Sequence, residues 1–143
     1  MNACLGLTVI LVAVVTLGLI ITEPAMAQFS GNISINLSVT IASDGTVEGT
    51  DRIKREGTLY TLTGNINASR DAGIINAGIK VLKDDIVIDG AGYSITAYGY
   101  VQKGVDLDGR KNVTIKNLNI NSFVHGVSLI DASNNIIQNN SLA

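Results

Sequence analysis

The chain has very little cysteine, proline or methionine, and it has no tryptophan. The one cysteine (Cys4), the one proline (Pro24) and both methionines lie within the first 27 residues. Residues 28–143 therefore contain no disulfide, which excludes the cysteine-rich scaffolds that are common among small secreted domains. The stability of this part must come from backbone pairing and from apolar burial.

Charged residues are also scarce, at 15% of the chain, and they nearly cancel to a formal net charge of −2. A nucleic acid or an anionic membrane surface is bound through clustered Lys and Arg. The composition therefore predicts neither partner.

The first 27 residues have the pattern of a secretory signal peptide. An apolar run from Leu5 to Ile21 precedes TEPAMA, in which Ala25 and Ala27 form an A-x-A cleavage pattern. An uncleaved membrane anchor is the alternative, because no Lys or Arg precedes the run and its length is at the short end for a spanning helix. Both interpretations predict a secreted or cell-surface protein. Contact with the membrane is expected only if the N-terminal segment stays uncleaved.

Residues 28–143 lack the 3.6-residue apolar spacing of a helix. Short runs with a period of two appear instead, bounded by Gly, Asn or Asp. They include SINLSVTI, TLYTLTGNI, GIKVL, DIVID, GVDL, NVTI and GVSL. This pattern predicts an all-β protein.

The sequence also repeats itself at an interval of 22 residues, so that KNVTIKNLNI (111–120) aligns with SNNIIQNNSL (133–142). A looser copy begins near Ile86. Short strands at this period predict a parallel β-helix, whose successive coils stack about 4.8 Å apart. The register predicts an interior stack of Ile88, Ile115 and Ile137.

Four asparagines recur at the corners of this repeat, namely Asn112, Asn117, Asn134 and Asn139. Asparagine tolerates left-handed backbone and bonds locally to the chain. Stacked amides can also bond to one another between coils. We interpret these four residues as a structural ladder rather than as a ligand site.

The region before the repeat is organised differently. Asp44–Gly45 is a hairpin-type turn signal, and the charged stretch after it, GTDRIKREG (49–57), is typical of a loop. We expect residues 28–70 to form a β-strand cap on the helix and residues 71–143 to form about three coils. No second cap follows residue 140, so we expect further β-helix coils of the same gene product.

Three segments carry a family resemblance: DDIVIDGAGYSI (84–95), KGVDLDGRKNVTIKNLNI (103–120) and SNNIIQNNSL (133–142). They resemble the right-handed parallel β-helix repeats of secreted archaeal and bacterial surface proteins. The resemblance implies a carbohydrate-binding or sugar-hydrolysis module, a relative of the periplasmic copper-binding β-helix proteins, or a pectate-lyase-like enzyme.

The residues themselves give little support for copper. Soft copper ligands are His, Cys and Met, and residues 28–143 contain only His125 of these. His125 aligns with Lys103 at a corner, where a solvated side chain is the ordinary interpretation. We predict no metal and no cofactor.

A glycosidase needs two carboxylates that face one cleft. Asp106 and Asp108 are the best pair, although Asp108 belongs to a turn and Asp106 has an outward position. We therefore assign no catalytic residue. The alternative is that this chain is the N-terminal part of a polysaccharide lyase or glycoside hydrolase whose active site lies beyond residue 143.

Sugar binding needs aromatic platforms beside hydrogen-bonding groups. Tyr98 and Tyr100 are candidates for the platform, with Asp106, Asp108 and Arg110 as polar partners, whereas Tyr93 is expected in the core. The sequence therefore predicts a non-catalytic, exported β-helix module that binds a polysaccharide or surface glycan or has a structural role.

Overall fold

A computed structural model describes residues 38–69 and 76–143. They form short β-strands with no helix. The strands are β1 (Val39–Ile41), β2 (Val47–Glu48), β3 (Ile53–Glu56), β4 (Leu59–Leu62), β5 (Ile66–Ser69), β6 (Ala77–Val81), β7 (Val87–Asp89), β8 (Ser94–Tyr98), β9 (Lys103–Asp106), β10 (Thr114–Lys116), β11 (Asn119–Asn121), β12 (His125–Ser128), β13 (Ile136–Gln138) and β14 (Ser141–Leu142).

The strands form three sheets that the chain visits in turn. Sheet A has the order β12-β9-β6-β1-β2, sheet B the order β13-β10-β7-β4-β3, and sheet C the order β14-β11-β8-β5. All pairings are parallel except those of the hairpins β1–β2 and β3–β4. The protein is therefore an all-β parallel β-helix, as predicted.

Each sheet receives one parallel strand from each of four layers. We call these the first layer (β1, β4, β5), the second (β6–β8), the third (β9–β11) and the fourth (β12–β14). The first layer falls in the region predicted as a cap, yet its strands pair in parallel with those of the second layer. Among the described residues, the hairpin strands β2 and β3 lie at the N-terminal edges of sheets A and B.

The register of the predicted interior stack is confirmed. Ile115 lies directly between Ile88 and Ile137 in the strand register, and Ile88 and Ile115 are fully buried. On the outer face, the Lys116 Nζ atom lies 3.1 Å from the Asp89 carboxylate. The period of two in the sequence therefore sorts apolar side chains inward and charges outward.

Within the charged stretch predicted as a loop (49–57), Ile53–Glu56 is instead strand β3, so the prediction was wrong for these four residues. Ile53 faces the core, while Lys54, Arg55 and Glu56 are exposed. Because β3 is the edge strand of sheet B, its charges stay in water and block further pairing. The Asp44–Gly45 hairpin turn is confirmed, since it joins the antiparallel strands β1 and β2.

Tyr93 was predicted in the core and is 39% exposed. The chain reverses between Gly90 and Tyr93, where the Tyr93 N–H bonds to the Gly90 carbonyl and Ala91 and Gly92 adopt positive φ. Gly90 packs against the backbone of Leu118, so closely that a side chain at Gly90 would overlap it. The Leu118 side chain is fully buried in the interior, whereas the Tyr93 side chain, which follows the turn, is partly exposed to solvent.

All four predicted corner asparagines have left-handed backbone, with φ of 54° to 56°. The amides of Asn112 and Asn117 bond to carboxylates one layer below, those of Asp85 and Asp89. The neighbouring Asn135 and Asn140 bond to backbone of the layer below. The Asn135 amide accepts from the Val113 N–H and donates to the Arg110 carbonyl. The Asn140 amide accepts from the Leu118 N–H and donates to the Ile115 carbonyl. Among the described residues, the amides of the four predicted ladder residues do not bond to one another; the bonds between layers join amides to carboxylates and to backbone.

The fourth layer exposes large apolar side chains, namely Leu129, Ile130, Ile136, Ile137 and Leu142. It is the edge on which we expect further coils, and that expectation stays a prediction. Within residues 38–69 and 76–143, no helix is long and apolar enough to cross a membrane. The signal peptide or anchor predicted at residues 1–27 lies outside the described residues.

A glycine substitution tests how tightly the layers stack. A Cβ at Gly104 would overlap the Ile120 side chain and the Gly126 carbonyl oxygen, so we expect Gly104→Ala to reduce the free energy of unfolding by about 1–3 kcal/mol. At Gly64 a Cβ would meet only the Arg52 side chain at ordinary distance. Denaturant unfolding should therefore show little change for Gly64→Ala, and equal behaviour of the two variants would contradict the close packing.

Candidate functional site

Two of the predicted site residues lie at the end of strand β9. Asp106 is its last residue, and Asp108 lies in the turn that follows. The Arg110 N–H bonds to the Leu107 carbonyl at 2.9 Å and closes this turn, in which Gly109 has a φ of +71°. The turn brings both carboxylates to the same corner of the β-helix, between sheets A and B.

A lysine that the sequence analysis did not select joins the two carboxylates. The Lys103 Nζ atom lies 3.1 Å from the Asp106 Oδ1 atom and 2.5 Å from the Asp108 Oδ2 atom. Residues three apart lie on opposite faces of a regular strand, so the spacing of Lys103 and Asp106 did not point to a pair. The long lysine side chain spans this offset from the first residue of β9.

The fourth layer completes the cluster. The Ser128 hydroxyl donates to the Asp108 Oδ1 atom at 2.6 Å, and the Ile130 N–H donates to the same oxygen at 3.1 Å. Ser128 is buried and lies opposite Asp106 in the register. We call Lys103, Asp106, Asp108 and Ser128 the lysine cluster.

The lysine cluster fixes the charge of Asp108. Burial by itself raises the pKa of the Asp108 carboxyl, but the hydrogen bonds from Lys103, Ser128 and Ile130 outweigh burial and lower that pKa to about 2. The hydrogen bond to Asp108 in turn raises the pKa of Lys103. Lys103 and Asp108 therefore form an ion pair at neutral pH, and the Asp108 carboxylate has no proton to donate.

Arg110 does not join the lysine cluster. Its Nη1 atom donates to the Leu82 carbonyl at 3.0 Å and lies 3.3 Å from the Asp84 Oδ1 atom. These contacts tie the third layer to the second at the corner between sheets A and B. Arg110 therefore has partners apart from Asp106 and Asp108, with which it was grouped as a possible binding residue.

Tyr98 and Tyr100 are the most exposed of the aromatic side chains described, at 58% and 60%. Tyr98 ends strand β8, and Gly99 between the two tyrosines has a φ of +86°. The loop then returns to the protein through Val101, which is 1% exposed and packs with Ala68, Ala97 and Phe123. This small apolar cluster anchors a loop that presents two tyrosines to solvent.

His125 lies opposite Lys103 in the register, as predicted, and is exposed. The described residues include no group of three His, Cys, Asp or Glu side chains arranged to hold a metal ion. Comparison of the chain with protein-family models, with curated proteins and with solved structures found no match.

The pH dependence of stability tests the lysine cluster. The folded pKa of Asp108 is lowered, so its contribution is present above the unfolded pKa near 3.9 and is lost as the pH falls toward 2. Because the pair is partly exposed, we expect Asp108→Asn to cost about 1 kcal/mol at pH 7, or roughly 4 °C in Tm.

Thermal unfolding of both proteins between pH 7 and pH 2 measures this difference. The gap in Tm between the native chain and Asp108→Asn should close as the pH falls from 4 to 2. A gap that persists at pH 2, or that is absent at pH 7, would show that Asp108 is not held in this ion pair.

Proposed function

We propose that this protein is an exported, cell-surface β-helix module that binds a glycan and does not cleave it. The observation that carries the proposal is the pair of exposed tyrosines, Tyr98 and Tyr100, on a loop fixed by the buried Val101. A sugar ring presents C–H groups that pack on an aromatic face and hydroxyls that bond to nearby polar groups. An anchored loop also loses less conformational entropy on binding than a free loop.

The lysine cluster supports a role without catalysis. Glycoside hydrolysis requires a carboxylic acid that keeps its proton near neutral pH and a second carboxylate that acts as a base or nucleophile. The pKa of Asp108 is instead lowered to about 2, and Lys103 holds both Asp106 and Asp108. This arrangement favours a structural ion pair over an acid–base pair.

Affinity electrophoresis of the full chain in gels that contain polysaccharide tests the proposal. The gels should span uncharged polymers (hydroxyethylcellulose, mannan, laminarin) and an anionic one (polygalacturonate). We expect at least one polymer to retard the native protein. Tyr98→Ala and Tyr100→Ala should each weaken binding roughly threefold to tenfold, because each removes one stacking surface.

Ile136→Ala is the matched control, since Ile136 is a large side chain with 52% exposure on sheet B. It should leave the retardation unchanged. Unaltered binding of both tyrosine variants, or equal losses in all three, would contradict a tyrosine platform. Activity on any of these polymers, seen as new reducing ends or unsaturated products, would contradict the absence of catalysis.

A further inference from the structure

Charge is distributed unevenly among the three outer faces of the β-helix. The strands of sheet A carry Glu48, Lys80, Lys103 and Asp106, and those of sheet B carry charged residues in β3, β7 and β10. The four strands of sheet C (INAS, SITAY, NIN and SL) contain no Asp, Glu, Lys, Arg or His. The outer side of the β-helix formed by sheet C is therefore polar but uncharged.

The outward side chains of sheet C form two rows that run across the layers. Asn67, Thr96 and Asn121 are in register in one row. Ser94, Asn119 and Ser141 are in register in the other. Neighbours within a row are about 4.8 Å apart, and the rows are about 6.6 Å apart because they lie two residues along each strand. We call these six residues the sheet C face.

Much of the hydrogen-bonding capacity of this face is unused. Over residues 38–69 and 76–143, the side chains of Asn67, Thr96 and Asn121 make no hydrogen bond to the protein. Asn119 uses one amide N–H, which donates to the Gly92 carbonyl at 2.8 Å. Hydroxyls and amides offer both donors and acceptors, which matches the hydroxyls of a sugar.

Two tyrosines lie at the ends of strand β8, which contributes Ser94 and Thr96 to this face. Tyr98 has the outward orientation of Ser94 and Thr96 on strand β8 and lies opposite Ser69 in the register. Tyr93 directly precedes the strand and is 39% exposed. The two residues are five positions apart, about 17 Å along an extended chain. Aromatic groups thus lie at both ends of the second-layer strand.

We propose that the sheet C face, with Tyr98 at its margin, binds an extended polysaccharide that carries no charge. This inference rests on the proposed function and specifies its surface and its ligand class. An anionic polymer would find no cation on this face to pair with, and its charges would lose hydration without compensation. An apolar protein partner would have to bury the unpaired amides of Asn67 and Asn121 and the unpaired hydroxyl of Thr96.

The test places one carboxylate on the face and one on a matched position elsewhere. Thr96 and Thr114 are both outward, partly buried threonines in parallel strands: Thr96 lies in the middle of β8 in sheet C, and Thr114 is the first residue of β10 in sheet B. In the electrophoresis described above, the uncharged polymers should retard the native protein more than polygalacturonate does. Thr96→Asp should weaken that binding at least tenfold, and Thr114→Asp should change it less than twofold.

Circular dichroism and Tm establish that both variants fold, so that a loss of binding is not a loss of structure. If Thr96→Asp does not fold, Asn121→Gln, which keeps the amide and lengthens the side chain, takes its place and should still weaken binding.

The remaining outcomes separate this inference from the proposed function. Binding that depends on Tyr98 but is unchanged by Thr96→Asp overturns the sheet C face and leaves glycan binding intact. Stronger retardation by polygalacturonate overturns the uncharged ligand. No retardation by any polymer overturns both.

Discussion

The structure depends on the stacking of successive layers in register. Residues 28–143 contain no cysteine and few charged residues, so the described domain is stabilised mainly by apolar side chains that lie directly on their equivalents one layer away. Ile88 and Ile115 show the result, since both are fully buried in one interior stack. The same register that fills the core also aligns the outward residues into rows.

That alignment produces the two surfaces on which the functional proposals rest. The lysine cluster combines three residues of the third layer with Ser128 of the fourth, so it exists only when those layers are stacked. The sheet C face combines residues from all four layers. A surface of this kind suits a polymeric ligand, because both the protein and the ligand repeat along one direction.

Much of the fold could be predicted from the sequence, because a repeat fixes the register wherever it is regular. The placement of Ile115 between Ile88 and Ile137 followed from it, as did the left-handed corners at Asn112 and Asn134. The prediction was wrong where the chain departs from the repeat. Tyr93 follows an inserted turn, and β3 is a charged edge strand that has no equivalent in the later coils.

The candidate sites were harder to predict, because their contacts do not follow strand alternation. Lys103 reaches Asp106 across an odd spacing, and Arg110 uses its side chain for Leu82 and Asp84 rather than for the carboxylates near it in sequence. The uncharged face could have been found by comparing the third strand of every coil. It is not visible in any single strand, since INAS or NIN alone is an ordinary polar strand.

The register itself can be measured by cross-linking outward residues in a Cys4→Ser background. Val87 and Thr114 are direct neighbours across sheet B, about 4.8 Å apart, whereas Val87 and Lys116 are offset by two residues and roughly 8 Å apart. Dibromobimane, a short thiol cross-linker, should therefore join Cys pairs made by Val87→Cys with Thr114→Cys much faster than pairs made by Val87→Cys with Lys116→Cys. Equal rates for the two pairs, or faster reaction of the offset pair, would contradict the stacked parallel β-helix.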